Sequence, residues 1–385
     1  MRSKQWHLDA MKADEMWRTS TGKGVVVAVI DSGVDEKNPD LVGQIVKGKD
    51  LEPDVPGDER ADYDGHGTGV AGLIAGTGRG HGGDGAFGLA PGSKILPIRM
   101  PETGVGETQD VGEAEFNRVV SVAIRYAADR GAKVINISMG SQSGSQALTD
   151  AVKYALAKGS LIFAAAGNSG GGANMPEYPA KTPGVVGVGA VGHDVKKTGE
   201  SQYGPQIDLT APGIDMVHPC KGGTQLCETS GTSAASAIAS ASAALIWSKH
   251  PDWTNNQVLR VMLNTAGKPK SGAERNDYVG YGAVRPRVAL KAPGDPGPAD
   301  VYPLPDLAAA ESPSPSPAGA SSERPSGAAA ADAPATAAPT ADASGSGGGT
   351  VLWIGLATGV VVLAGAVAVA LAARSRRHSV PRGTG

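Results

Sequence analysis

Four polar residues, far apart in the chain, each stand at the end of an apolar run or at the mouth of a helix pattern. They are Asp31 in VVVAVIDSGVD, His66 in DYDGHGTGVAGLIAG, Asn168 in SLIFAAAGNSG and Ser233 in CETSGTSAASAIASASAALIW. Singly, each has an ordinary explanation. Ser and Thr cap helices, Asp-Ser-Gly and Gly-Asn make turns, and a lone histidine between glycines suits a helix cap or the surface. Together they are the parts of an acyl-transfer site. A hydroxyl nucleophile needs a base to take its proton, a carboxylate to fix the base's tautomer, and donors aimed at the oxyanion. Ser233 also opens a helix pattern, where orphan backbone N–H groups and the helix dipole favour developing negative charge.

Other patterns carry less. GRGHGG, Gly78 to Gly83, fits GxGxxG but follows a helix pattern rather than a strand, so a loop is expected. The acidic run DLEPDVPGDERADYD has carboxylates that suit Ca²⁺, but it lacks the EF-hand order and is expected to be an exposed loop. There is no HExxH and no Cys/His cluster, and neither a metal nor a cofactor is expected. Cys220 and Cys227 are spaced for a small disulfide-closed loop in an oxidising compartment, or are two buried thiols.

The elements that must position these residues are legible from periodicity. GVVVAVI, KILPIRM, AKVINISM, SLIFAAAG and GVVGVGAV are short apolar runs suited to strands buried on both faces. Between them lie helix patterns, with Phe116, Val119, Val120, Ala123, Ile124 and Ala127 on one face. Thr254 and Gln257 have capping-box spacing. Strands alternating with helices predict a doubly wound α/β fold, its sheet mainly parallel and flanked by helices.

The 385-residue chain divides by composition, and its net charge of −3 gives no reason to expect nucleic acid. Residues 1–292 carry the α/β pattern. Residues 293–350 are rich in Pro, Ala, Ser and Gly, and predict a disordered tether. Residues 351–373 hold no charge and, at ~1.5 Å per residue, are long enough to cross a bilayer core of ~30 Å. Gly355 and Gly359 in that span form GxxxG, a motif that can pack against a partner helix. The tail 374–385, with Arg374, Arg376, Arg377 and Arg382, then predicts a cytoplasmic C-terminus and a catalytic domain outside a single-pass cell membrane anchor. That topology requires export, yet the first residues hold no apolar signal core, so Met1 is not expected to begin the precursor.

VAVIDSGVD, GHGTGVAG, VINISMGS, AAAGNSG and SGTSAAS, in that order, resemble the signature blocks of the subtilisin-like serine proteases. HPDWTNNQV resembles their C-terminal helix, and the likeness spans nearly all of residues 5–292. The resemblance implies Asp31, His66 and Ser233 as a triad, and Asn168 as an oxyanion donor beside the Ser233 N–H. It implies Ser138, Met139 and Gly140 along an extended substrate, and Ala165, Ala166 and Gly167 around the pocket for the residue before the cut. Glu177, in MPEYPA, would lie near that pocket's floor, where a carboxylate favours a Lys or Arg side chain. SAASAIAS replaces the Met-Ala-Ser-Pro-His that follows the nucleophile in many subtilisins, without removing a catalytic group.

The whole plan of protease domain, tether, span and basic tail looks like the mycosins, membrane-anchored proteases associated with type VII secretion. That likeness implies protein or peptide substrates among exported proteins, a possible membrane complex as partner, and contact with the lipid bilayer through 351–373. The alternatives are a mainly structural component of the secretion machinery and a general degradative surface protease.

Overall fold

Apolar runs bounded by Gly, Pro and Lys form the strands of one sheet. These are β1 (Val26–Asp31), β2 (Lys49–Asp50), β3 (Lys94–Arg99), β4 (Val134–Ile137), β5 (Leu161–Ala165), β6 (Val186–Val191) and β7 (Leu209–Pro212). The computed structural model describes residues 2–101, 108–221 and 226–311. The order is β2-β3-β1-β4-β5-β6-β7, and every pairing is parallel. The five expected strands are present; β2 is only two residues long, and β7, with Thr210 and Pro212 among its four residues, is not a continuous apolar run. A separate antiparallel hairpin, β8 (Met216–Pro219) with β9 (Leu226–Thr229), is tied by a disulfide between Cys220 and Cys227.

The helices are α1 (Trp6–Ala10), α2 (Ala13–Trp17), α3 (His66–Ala75), α4 (Gly80–Gly83), α5 (Gln109–Asp129), α6 (Gln146–Ala157), α7 (Thr232–Lys249), α8 (Asn255–Thr265), α9 (Pro286–Lys291) and α10 (Pro305–Glu311). The strands bury side chains on both faces. Val27 and Val29 of β1 pack into the core that holds α3 and α7, and Ala28 and Ile30 into the core beneath α5 and α6. The predicted face of α5 is buried throughout. Helix α7 is Ala/Ser-rich and apolar nearly all round because it is buried nearly all round; its small side chains let it lie close against the sheet. Thr254 and Gln257 form the expected capping box at the start of α8.

Gly78–Gly83 closes as a tight turn around α4, with left-handed backbone at His81 and Gly82. Its Gly80 N–H, like that of Ala86, donates to the Asp40 carboxylate, at 2.7 and 2.9 Å. The acidic run is more than an exposed loop. Asp50 grips the fully buried Arg99 through two bonds of 2.8 and 2.9 Å, and the carbonyls of Glu52, Val55 and Pro56 complete the shell of that guanidinium.

The fold does not stop at residue 292. Arg260 donates to the carbonyls of Pro296, Pro298 and Val301, Gln257 to Gly297 and Asn256 to Ala299. Leu304 is buried, and Asp306 accepts the Gly184 N–H at 2.7 Å. Pro and Gly here supply an extended strap whose carbonyls are taken by α8 side chains. A chain ending at residue 292 is expected to be roughly 2–3 kcal/mol less stable than one ending at 311. Equal melting temperatures for the two would remove the strap from the domain. Among the described residues no helix is long and apolar enough to cross a membrane; the expected span 351–373, its tail and most of the tether lie outside them.

Candidate active site

The strand order reverses at β1, with β3 and β2 on one side and β4 to β7 on the other. Crevices at such switch points, at the carboxyl ends of the strands, are where open α/β sheets place their sites. Asp31 is the last residue of β1, and Ser138 follows β4. Asp31 is buried, and its Oδ1 takes the Ser32 N–H at 2.8 Å and meets His66 Nδ1 at 2.7 Å. A carboxylate only accepts, so Nδ1 carries the proton and the Nε2 lone pair of neutral His66 is left for other work. The Asp31 charge pushes the imidazole up to about 9, against burial, which acts the other way.

His66 reaches Asp31 because α3 starts hard against the loop after β1. A side chain at Gly67 would place its Cβ 2.1 Å from the Gly33 carbonyl oxygen, so only glycine fits. Asp62 fastens the same turn. One of its oxygens accepts from Ser32 Oγ and the Gly65 N–H, the other from the Thr68 N–H and hydroxyl.

Ser233 lies in the first turn of α7 and shares a cavity with His66, beside the Cys220–Cys227 disulfide. Its hydroxyl donates to the Ser138 carbonyl at 3.0 Å rather than to His66. A buried polar relay holds α7 to β4 at this point. Ser236 and Ser240 donate to Asn136 Oδ1, Asn136 donates to Ser138 Oγ, and Ser138 Oγ donates to the Ser233 carbonyl. Asn168 follows β5, with its Oδ1 anchored by the N–H and hydroxyl of Thr232 at 2.9 and 3.0 Å. That anchorage leaves the amide donors of Asn168 on the opposite side of the carboxamide. Thr232 Oγ1 in turn accepts the Gly167 N–H.

Ser138, Met139 and Gly140 line a second cavity with Asp31, His66 and Glu177. Ala165, Ala166 and Gly167 are buried at the end of β5, and Glu177 stands close to both segments, near Gly140 and Gly167. Sequence reasoning passed over Asn136, Asp62 and the anchoring part of Thr232. Only Asn136 left a signal, as a polar residue inside an apolar strand run.

Residues 22–282 match the Subtilase family. The chain belongs to that family. This subtilase is 36% identical over 275 residues to a subtilisin of Bacillus pumilus, covering 70% of the chain and 92% of that protein. It is also 36% identical over 274 residues to a thermophilic serine proteinase of Bacillus sp. strain AK1, and spans 63% of that protein's length. Among solved structures it resembles MycP1 from Mycobacterium smegmatis, with 29% identity, a TM-score of 0.66, and coverage of 78% of this chain and 87% of that one. A chain in the periplasmic assembly of the ESX-5 inner membrane complex is 28% identical, with a TM-score of 0.65 over 78% of this chain and 88% of that one. The subtilase is a serine endopeptidase, similar to the mycosins of type VII secretion.

Proposed function

We propose that Ser233, His66 and Asp31 are the catalytic triad of this protease, and that it processes exported proteins at the outer face of a membrane. The observation that carries the triad is the 2.7 Å His66–Asp31 contact with Ser233 in the same cavity. A turn of about 120° about the Ser233 Cα–Cβ bond, from one staggered well to the next, takes Oγ off the Ser138 carbonyl and redirects it within that cavity. His66 Nε2 then removes the hydroxyl proton as Oγ bonds to the scissile carbonyl carbon. The Asn168 amide and the Ser233 N–H receive the oxyanion. His66 returns the proton to the leaving amine, and water, activated by the same imidazole, releases the acyl group. Ser138–Gly140 and Ala165–Gly167 flank the substrate chain, which pairs as an added strand.

The secretion reading draws on the likeness to MycP1 and to the chain in the ESX-5 assembly. Anchoring draws on the uncharged run 351–373 and the arginines behind it. The Cys220–Cys227 disulfide agrees with an oxidising compartment for the catalytic domain. The test is to incubate the purified chain with the proteins exported by the same cells, beside Ser233→Ala, and read the new N-termini. A few new ends, present only with wild type, are expected. Indiscriminate digestion points to a degradative enzyme instead, and no new ends at all would end the processing reading.

A further inference from the structure

Asn136 is a polar residue at a place in the sheet suited to an apolar one. It lies in β4 between Val29 of β1 and Phe163 of β5, on the face that α7 covers, and it is fully buried. An apolar side chain would fill this place at no desolvation cost, whereas a buried amide destabilises the fold unless its hydrogen bonds are made. The bonds of Asn136 are made to two parts of the active site at once.

One side of the carboxamide holds the helix that carries Ser233. Oδ1 accepts from Ser236 Oγ at 2.9 Å and Ser240 Oγ at 3.0 Å, which uses both its lone pairs. These serines stand three and seven residues after Ser233, on the same face of α7. A buried helical serine has another partner within reach, since Ser242 donates to the carbonyl four residues back at 2.7 Å. Ser236 and Ser240 turn to β4 instead. The other side of the carboxamide holds the segment after β4, where Nδ2 donates to Ser138 Oγ at 2.9 Å. Ser138 Oγ spends its single hydrogen on the Ser233 carbonyl, at 3.2 Å, so it can only accept from Asn136. That fixes which way the amide faces.

We infer that Asn136 is a positioning residue for this protease, holding Ser233 at a set distance from Ser138–Gly140, the stretch that flanks the substrate. The inference rests on the reading of Ser233 as the nucleophile. Because the link runs to the Ser233 carbonyl, the hydroxyl is left to turn within its cavity without any movement of α7. A substrate paired with 138–140 then meets the nucleophile in a fixed geometry, and a misplacement of about 1 Å there costs roughly 10²-fold in rate.

The test compares two reactions of the purified full chain. One is hydrolysis of an extended peptide, which pairs with 138–140; the other is sulfonylation of Ser233 by phenylmethanesulfonyl fluoride, which is too short to pair as a strand. Asn136→Leu nearly keeps the volume and removes the relay. It is expected to lower kcat for the peptide by about thirty- to hundredfold with little change in KM. Sulfonylation should slow by about threefold or less, because α3, which carries His66, packs into one core with α7 and keeps the pair together. Ser138→Ala cuts only the link to the Ser233 carbonyl and should reproduce that split. The double variant should lose no more than either single one, since both act through one chain of bonds.

A purely structural role would instead lower the folded fraction, and both reactions with it. Should Asn136→Leu not fold, Ser236→Ala with Ser240→Ala frees the amide from α7 and takes its place, with the same split expected. Equal falls in both reactions, an unchanged peptide kcat, or losses that multiply in the double variant overturn the inference and leave the triad intact. Sulfonylation at a residue other than Ser233, or none in the parent chain, removes the nucleophile reading and this inference with it.

Discussion

Ser233→Ala is expected to lower kcat on a peptide substrate by about 10⁶, the loss typical when the nucleophile of such a triad is removed. Residual turnover would come from the oxyanion donors and binding alone, since water can still meet a carbonyl held beside Asn168. The fold should be untouched. The Ser233 hydroxyl donates to the Ser138 carbonyl at the cavity wall, and the relay through Asn136, Ser138 Oγ and the Ser233 carbonyl needs no side chain at 233. Melting temperature should thus stay within a few degrees, a change of roughly 0.5 kcal/mol or less. A variant that keeps a thousandth of the parent rate would show that Ser233 is not the attacking group. Paired with an export assay, the same variant separates roles: secretion that persists unchanged without cleavage favours a scaffold.

Asp31→Asn is expected to lower kcat by about 10⁴ while leaving the backbone geometry in place. Asparagine can present N–H to His66 Nδ1, which favours the tautomer with its proton on Nε2, where the serine proton must go. The pH profile adds a signature that a merely structural role would not produce. Asp31 is the largest cause of the rise of His66 to about 9. Catalysis needs the imidazole neutral, so parent kcat/KM should climb as pH rises through that value and fall away in acid. In Asp31→Asn the limb should move down toward the ordinary histidine value of about 6.5. The linkage to stability has the opposite sense. The protonated His66–Asp31 pair favours the folded state below about 6.5, and that contribution is lost as pH rises through about 9. An acid limb that stays put in the variant would mean that another group titrates.

The sequence by itself determined what depends on neighbours along the chain. Short apolar runs, suited to burial on both faces, placed five strands, the 3.6-residue spacing placed α5 with its buried face, and Thr254 with Gln257 announced the start of α8, because each rests on contacts within a few residues. The order of Asp31, His66, Asn168 and Ser233 was enough to name the chemistry. Only the tertiary structure decided where those groups stand. It brought Asp31 to His66, turned the Ser233 hydroxyl toward Ser138, anchored Asn168 on Thr232, folded the strap 293–306 onto α8 and set Glu177 between Gly140 and Gly167. These pairs are joined by long loops, and loop closure costs little more for one distant partner than for another. The choice falls to the packing of the whole sheet and its helices, which no short stretch of sequence contains.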